Sequence, residues 1–574
     1  MSFGALRDAP ILGFDMSARQ FERPSAFQSS PNVFPLGVEV EDTKPIEIAE
    51  TRQEQGRAGN PWWFVPPLYF MQAIPAAIVG DMAPLIYKEF GVDNVAITRW
   101  TSIAALPWAI KMFFGPFVEL NSTRRRWILV TQLLIVATVL GIAFAIQVPN
   151  FFGFSLAFLT TAALFSATCD IATDGFYLMS LSRDSQAAFA GALTTSSRLG
   201  KLFCTSLLFM LAGFLEKRAM GPLPDVPAGQ PAPPVPHDIV AHSWGITLVV
   251  CAVVYGLSRV LLSFSLPKPA QDTSPPPVKG ENWKNLARTL SIIATVFASY
   301  FTLQSILRIV ANEIATSVHK LPLLGDLKGW LLTPDALRAD QIQLLLCLVI
   351  ASSLGFVSYR LMRKTPTGEA FSTFFGQTKI GYILLFIVFY RMSEAMVGKM
   401  TALFLKDPVS SGGMGMSTEQ IGFYSGTLGV MGIIVGGIIG GLLLSKLGLR
   451  RGFWPLAIAM HLPNLLYLWA AITHPAFQAI GFVAFVDQMG YGIGYAAYMV
   501  YLMQVAQRST YRTSHYAIAT GLGVLCIQLS GILSGIIQSN FGYVNFFIAV
   551  MFLAIPGVLT LLFIPLDEKK AVAA

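Results

Sequence analysis

Two aspartates four residues apart, Asp170 and Asp174, lie inside an apolar run and could carry protons. In a helix this spacing puts both carboxylates on one face, with Ser166 and Tyr177 approximately in line. Close carboxylates can share one proton, because a second negative charge beside the first is unfavourable. Such groups are costly in a membrane helix unless they face water, each other or a cation, so they indicate a functional path. The alternative is a structural role, in which an ion pair with Arg198 or Lys111 ties two helices together.

Further charged residues occur at helical spacing in other apolar runs. Lys111 could neutralise one aspartate or dock an anionic solute, or its side chain could snorkel to the membrane interface. Arg198 and Lys201, three residues apart, could attract an anion, or either could act as a counter-ion to the aspartates. Arg391 and Glu394 are also three apart and can pair locally.

A tyrosine face follows Asp487 and carries Tyr491, Tyr498 and Tyr501 at helical spacing. Aromatic rings beside an acid suit a sugar or another ring-bearing solute, although tyrosines at this spacing also serve packing. The predicted proton and substrate path comprises Gln72, Lys111, Thr168, Asp170, Asp174, Arg198, Arg391, Glu394, Asp487, Tyr498 and Tyr501.

The composition indicates which elements must position these side chains. Of 574 residues, 54% are hydrophobic and 13% charged, and the mean hydropathy is +0.59. Apolar runs of about 20 residues, enough to cross a hydrocarbon core, recur along the chain. The sequence therefore predicts an all-α membrane protein of about fourteen spanning helices, near 63–87, 97–119, 125–147, 152–181, 186–215, 244–266, 287–310, 341–362, 379–405, 418–444, 452–473, 477–504, 513–538 and 543–565.

Charge placement predicts the orientation of the chain. Lys and Arg concentrate in alternate loops, which predicts that both termini lie in the cytoplasm. We expect the protein to span the cytoplasmic (inner) membrane. The net charge of +8 reflects this bias and contact with anionic lipids, and no nucleic-acid partner is expected. The polar first 60 residues read as a disordered tail without a cleaved leader.

Cysteine and histidine patterns argue against metal or cofactor chemistry. The five cysteines lie in apolar segments without C-x-x-C spacing, and the six histidines are scattered. We therefore expect no cofactor, no metal and no enzyme activity, because a membrane enzyme would concentrate acid, base and histidine near one face.

An internal repeat organises the chain. The stretch from Ala77 to Lys88 resembles the stretch from Ala395 to Lys406, 318 residues later. A second correspondence lies in two loops predicted to be cytoplasmic. One loop carries Gly115, Glu119 and Arg124–Arg125–Arg126, and the other carries Gly441, Ser445, Lys446, Gly448, Arg450 and Arg451.

This loop pattern resembles the signature of the major facilitator superfamily. The resemblance implies two parallel six-helix repeats with a substrate path between them. It also implies a cytoplasmic gate formed by Gly115, Glu119, Arg124, Arg125, Arg126, Gly441, Lys446, Arg450 and Arg451, in which acid and arginines pair. Topogenic charge alone is the alternative explanation for these basic residues.

Longer motifs narrow the resemblance to the AmpG family of muropeptide permeases. They are Tyr69-Phe70-x-Gln72-x-x-Pro75, Pro107-Trp108-x-x-Lys111, the run from Ser166 to Tyr177, Phe389-Tyr390 with Glu394-Ala395-Met396, Gly490-x-Gly492-x-Gly494, and Ser514-His515-Tyr516-Ala517. Cys169 stands where family members typically have Gln, and Glu119 where they have Asp. The resemblance implies proton-driven import of a cell-wall fragment, and more distant relatives carry acetyl-CoA.

The predicted domain organisation follows from the repeat. It comprises a cytoplasmic tail (1–60), a first six-helix bundle (61–266), a linker with two extra helices (267–378), a second bundle (379–566) and a short tail (567–574). We expect a monomeric proton-coupled permease for a small polar solute, with Asp170 and Asp174 facing Glu394 and the tyrosine face across a central cavity. A sensor without transport activity, or a carrier of lipid or acyl-CoA on the same fold, is the alternative.

Overall fold

The computed structural model describes residues 60–181, 183–221, 235–269, 272, 334–508 and 511–566, together with scattered positions between 291 and 309. Every regular element within these residues is a helix. The first 59 residues and most of the predicted span at 287–310 lie outside the described residues.

The first half of the chain, residues 61–266, forms seven helices after a 3₁₀ turn at Pro61–Trp63. They are α1 (Val65–Ala77, a π-turn at Ile78–Met82, and Ala83–Glu89), α2 (Asn94–Ala104), α3 (Leu106–Asn121), α4 (Arg124–Ala145), α5 (Phe151–Ser180), α6 (Arg183–Leu202, a π-turn at Phe203–Leu208, and Phe209–Met220) and α7 (His237–Ser265).

Local sequence explains several of these boundaries. The side chains of Asp93 and Thr123 accept hydrogen bonds from backbone N–H groups in the first turns of α2 and α4, as N-cap residues do. Pro107 lies in the first turn of α3, where its missing N–H is tolerated but a continuous helix through Ala105 is not.

The linker and the second half, residues 379–566, contribute the remaining helices. They are α8 (Pro334–Met362), α9 (Pro366–Phe375), α10 (Ile380–Lys406), α11 (Thr418–Gln420, a π-turn at Ile421–Thr427, and Leu428–His461), α12 (Asn464–Thr473), α13 (Phe477–Gln507) and α14 (Arg512–Leu559), with 3₁₀ turns at Val409–Ser411 and Thr560–Leu562.

Two of these helices are too long for a single crossing and bend at a glycine. Gly448 in α11 has φ 68° and Gly542 in α14 has φ 74°, a conformation that suits glycine because it has no Cβ. Each helix therefore consists of two segments, as the predicted boundaries near 444–452 and 538–543 require.

Large apolar side chains cover the outside of the molecule. Phe264 is 85% exposed, and Phe144, Leu261 and Phe552 are similarly uncovered. Such a surface is unfavourable in water and favourable against lipid. Within the described part of the chain, eight helical stretches are long and apolar enough to cross a membrane. The protein is an all-α, multi-span membrane protein, and the count of fourteen spans stays a prediction.

Small residues bring α11 and α13 into close contact. A Cβ at Gly432, Gly436 or Gly440 would meet the backbone of Phe485, Met489 or Ile493, whereas Gly437 and Gly441 face open space. This face has the small-residue spacing that lets helix backbones approach in membranes.

We expect Gly436→Ala to lower the free energy of unfolding by about 1–3 kcal/mol, because overpacking a tight contact costs that amount. Thermal unfolding of the purified protein in detergent measures the change. Gly437→Ala is the matched control, since a Cβ there meets nothing within 4 Å. Equal melting temperatures for both variants would contradict a tight contact at Gly436.

Candidate functional site between the two halves

The two aspartates of α5 lie in a polar cluster inside the first half. Asp170 Oδ2 lies 3.6 Å from Lys111 Nζ on α3, and Tyr69 on α1 donates a hydrogen bond to Asp174 Oδ1 at 3.3 Å. The side chain of Gln72 lies beside both carboxylates. Asp170 Oδ1 is buried and accepts no hydrogen bond from the described residues. Three helices thus supply a cluster with two carboxylates and one ammonium group.

The same helix carries residues that do not join this cluster. The Thr168 hydroxyl donates to the carbonyl of Leu164 in its own helix, at 2.9 Å. Tyr177 packs edge-on against Tyr69, with ring centroids 5.8 Å apart. The sequence did not predict Tyr69 as a hydrogen-bond partner of Asp174, although Tyr69 belongs to the same motif as Gln72.

The basic residues of the first half separate into two groups. Lys111 is the counter-ion of Asp170, whereas Lys201 pairs with Asp81 at 3.3 Å. Lys111 and Arg198 lie within electrostatic range of Tyr495, which belongs to the second half. The alternative in which Lys201 neutralises Asp170 or Asp174 is therefore wrong, and Lys111 has that role.

An arginine of the second half is surrounded by tyrosines, one of which, Tyr495, lies within electrostatic range of Lys111 in the first half. Arg391 Nη2 on α10 donates to the Tyr491 hydroxyl at 2.9 Å. The guanidinium carbon lies 4.9 Å from the ring centroid of Tyr495 and 5.4 Å from that of Tyr498. These contacts replace the local pair with Glu394 that the sequence predicts. The guanidinium and the rings form a surface suited to aromatic or sugar rings and to anions.

The predicted tyrosine face divides at Tyr498. Tyr498 stacks on Tyr390 with ring centroids 5.8 Å apart. Tyr501 is completely buried and packs against Phe386 and Phe453 inside the second half. Tyr498 therefore borders the arginine, and Tyr501 belongs to the apolar core.

Glu394 belongs to a second buried acid pair. It is 4% exposed and lies beside Asn464 and within electrostatic range of Asp487, which is 1% exposed. Glu394 Oε2, Asp487 Oδ1 and both polar atoms of Asn464 are buried without hydrogen-bond partners among the described residues. Glu394 is thus directed into the second half and not, as predicted, towards Asp170 and Asp174.

The first predicted gate loop binds the end of α7. The backbone N–H groups of Arg124 and Arg125 donate to Asp272 at 2.7 and 2.9 Å, and the Arg125 guanidinium donates to the Ser263 and Leu266 carbonyls. Arg126 is exposed. The side chain of Glu119 and the surroundings of Gly115 lie outside the described residues, so the pairing predicted there stays a prediction.

The second predicted gate loop lies on the surface. It surrounds the bend at Gly448, and its members Gly441, Lys446, Arg450 and Arg451 are all exposed. Its basic residues are placed as topogenic charges would be.

The clearest polar contact between the halves joins the ends of α1 and α10. Lys88 forms an ion pair with Asp407, and Lys406 Nζ lies 2.5 Å from Glu89 Oε1. Lys88 and Lys406 are corresponding residues of the internal repeat, as are Glu89 and Asp407. Each lysine therefore pairs with the acid of the other repeat. We call these two crossed pairs the interhalf lock.

Further hydrogen bonds surround the interhalf lock. Asn94 donates to Asp407 Oδ2 at 2.9 Å, and Tyr543 donates to the same oxygen at 2.5 Å. Thr418 and Trp244 donate to Glu89. Elements from both halves thus converge on two buried acids at one end of the molecule.

Further contacts between the halves join α6 and α11. The hydroxyl groups of Ser206 on α6 and Thr427 on α11 lie 2.5 Å apart, and a Cβ at Gly426 would meet the backbone of Thr205. A cavity of about 1300 Å³ opens beside the interhalf lock and includes Glu216 in its wall. Sequence reasoning missed Glu216, Glu89, Asn94 and Asp407, because none lies in the middle of an apolar run.

Comparisons with known proteins agree with this architecture. Residues 77–219 match the BT1 family. A Rickettsia felis protein named AmpG 4 is 20% identical over 506 residues, which is 87% of this chain and 94% of that protein. The anhydromuropeptide permease of Escherichia coli K12 is 28% identical over 189 residues, covering 33% of this chain and 37% of the permease.

Solved structures share the fold. A POT family transporter in complex with 5-aminolevulinic acid has a TM-score of 0.56 and 13% identity, covering 87% of this chain and 94% of its own. A bacterial homologue of the human lysosomal transporter Spinster has a TM-score of 0.51 and 14% identity, covering 87% and 93%. The predicted resemblance is thereby confirmed: this chain has the major facilitator fold, and its sequence relatives include proteins named AmpG and the anhydromuropeptide permease.

Proposed function

We propose that the protein is a proton-coupled permease that imports a small polar solute of the anhydromuropeptide type across the cytoplasmic membrane. The observation that carries the proposal is the cluster of Lys111, Asp170 and Asp174 opposite the arginine and tyrosine surface of the other half. The name of the Escherichia coli relative supports the class of cargo.

The central cluster has the composition that proton coupling needs. Two carboxylates share one ammonium group in a place where water is scarce, so the uncompensated charge favours binding of a proton. A proton on Asp170 would weaken its attraction to Lys111. The freed ammonium group could then pair with an anionic group of the solute, which links proton binding to solute binding.

The opposite surface has the composition that a sugar-containing anion needs. Arg391 offers a planar cation, and Tyr491, Tyr495 and Tyr498 offer ring faces and hydroxyl groups. Carboxylates pair well with arginine, and sugar rings stack on aromatic faces. A solute bound between the halves would thus contact Lys111 on one side and Arg391 on the other.

The predicted orientation places the interhalf lock at the outer end. If both termini are cytoplasmic, α1 and α10 end outside, and Lys88, Glu89, Lys406 and Asp407 lie at the outer membrane surface. The crossed pairs then hold the outer entrance closed. Opening this entrance requires both pairs to separate, as an alternating-access carrier must do in each cycle.

We expect Asp170→Asn and Asp174→Asn each to abolish accumulation of labelled anhydromuropeptide driven by an imposed pH gradient in proteoliposomes, while solute exchange at equal pH is retained. The amide keeps the shape of the carboxylate but cannot bind and release a proton. Uptake with and without a gradient measures the two activities separately.

Thr168→Val is the matched control for these variants. Its hydroxyl lies on α5 but donates within its own helix, so accumulation should equal that of the wild type. Unchanged accumulation in both aspartate variants would show that these residues have a structural role. Absence of cargo flux in the wild type, in either direction, would contradict the permease function itself.

We expect Arg391→Lys to raise the KM for uptake about tenfold with little change in kcat. Lysine keeps the charge but loses the planar group that lies over the tyrosine rings, a contact worth about 1 kcal/mol or more. Initial uptake rates at varied solute concentration separate the two constants. Arg363→Lys, at an exposed site, is the control, and an unchanged KM in Arg391→Lys would exclude the tyrosine-bound arginine from solute binding.

We expect Lys88→Asp to lower the free energy of unfolding by about 3 kcal/mol, because it leaves Asp407 buried beside a second acid. The double variant with Asp407→Lys restores the opposite charges and should recover part of this loss. Melting temperatures in detergent measure both. Lys217→Asp, at an exposed site near the same cavity, is the control. Equal melting temperatures for the single and double variants would contradict the crossed pairing.

A further inference from the structure

Glu216 is a buried acid that the crossed ion pairs do not use. It lies near the end of α6, is 3% exposed, and forms part of the wall of the cavity beside the interhalf lock. The Thr418 hydroxyl contacts Glu216 Oε2 at 3.4 Å and also donates to Glu89. The two carboxylates therefore lie side by side, joined through one threonine from the other half.

One oxygen of this acid lacks a hydrogen-bond partner in the part of the chain that the structure describes. Glu216 Oε1 is buried and makes no hydrogen bond with the described residues. A buried carboxylate oxygen without a donor is unfavourable, because the charge has lost its water and gained nothing in return. The Glu216 side chain is also in contact with that of Glu89, so a small cation held between the two carboxylates would compensate this charge.

The charges around this pair do not balance. Lys406 donates hydrogen bonds to Glu89 and Thr418, and Lys88 forms an ion pair with Asp407. The other charged residues at the cavity, Lys217 and Glu419, have opposite signs. Two buried carboxylates thus have one ammonium group, which leaves a net negative charge in a dry place.

We propose that Glu89 and Glu216 form a proton-binding site, occupied when the outer end is closed. A hydronium ion in the adjoining cavity supplies the proton: one of its O–H bonds breaks, an O–H bond forms on one carboxylate, and a water molecule remains. The new carboxyl group then donates a hydrogen bond to the other carboxylate. This site differs from the central cluster of Asp170 and Asp174. The proposal rests on the proposed function only because opening and closing of the outer end are steps of the transport cycle.

The direction of the pH effect follows from the site. Closure brings the two carboxylates together away from water, so the closed state binds the proton more tightly than the open state, in which both acids are hydrated. Low pH outside therefore favours closure, and high pH favours opening. One linked proton can change the ratio of the two states by at most about tenfold per pH unit.

The solvent accessibility of the contact between Ser206 on α6 and Thr427 on α11 tests the proposal without any transported solute. We replace Ser206, which is buried against Thr427, by cysteine in full-length protein whose five native cysteines are alanine. A membrane-impermeant maleimide then labels purified protein in liposomes. Rates are divided by the rate for the denatured protein at the same pH, which removes the intrinsic reactivity of the thiol.

In this Ser206→Cys protein, we expect the normalised rate to be about tenfold lower near pH 5.5 than near pH 8.5. Adding Glu216→Gln, which mimics the protonated acid, should keep the rate low at both values. Adding Lys217→Gln, the exposed neighbour, should leave the pH dependence unchanged. Replacing sodium by an organic cation should also change nothing.

Several outcomes would overturn the proposal. One is labelling of the parent protein that does not depend on pH, a result that needs no further substitution and so is independent of folding defects. Another is a Glu216→Gln variant that keeps the pH dependence of its parent. A third is a rate that follows sodium and not pH, which would assign a metal cation to the site. Because no solute is present, failure of the permease hypothesis would leave these results interpretable.

Discussion

The cost of placing charge in a hydrocarbon solvent constrains the whole structure. Lipid-facing positions carry residues such as Phe264, and the acids that enter the interior lie where two or more helices meet. Each buried acid is within reach of a cation, an amide or another acid. Buried charged and polar side chains are therefore stable at the interior surfaces between helices. These surfaces include the interface at which the halves must move.

Duplication of the chain gives this interface its symmetry. Lysine and acid follow each other at the end of α1 and again at the end of α10, and the pairs cross from one repeat to the other. A pair within one repeat would stabilise a single bundle. A crossed pair stabilises one arrangement of the two bundles, so it can act on the equilibrium between closed and open states.

Much of the fold could be predicted from sequence, because length and hydropathy suffice to locate membrane helices. Asp170, Asp174 and Lys111 could also be predicted, since a charge in mid-span is conspicuous. Glu216 could not, because an acid near a helix end resembles an ordinary interfacial residue. The direction of the Glu394 side chain could not be predicted either. Its neighbours Asn464 and Asp487 lie 70 or more residues away in sequence, and the spacing of residues along one helix does not reveal contacts with other helices.

The three acid pairs share one feature that bears on how the protein moves. At the central cluster, and beside the interhalf lock where Glu216 lies next to Glu89, two carboxylates meet a single lysine. The cation nearest to Glu394 lies instead among tyrosine rings. A buried pair with too little positive charge is stable only with a proton or with water. Any motion that hydrates one pair while drying another therefore changes where protons are held, which makes hydration the physical link between movement of the halves and movement of protons.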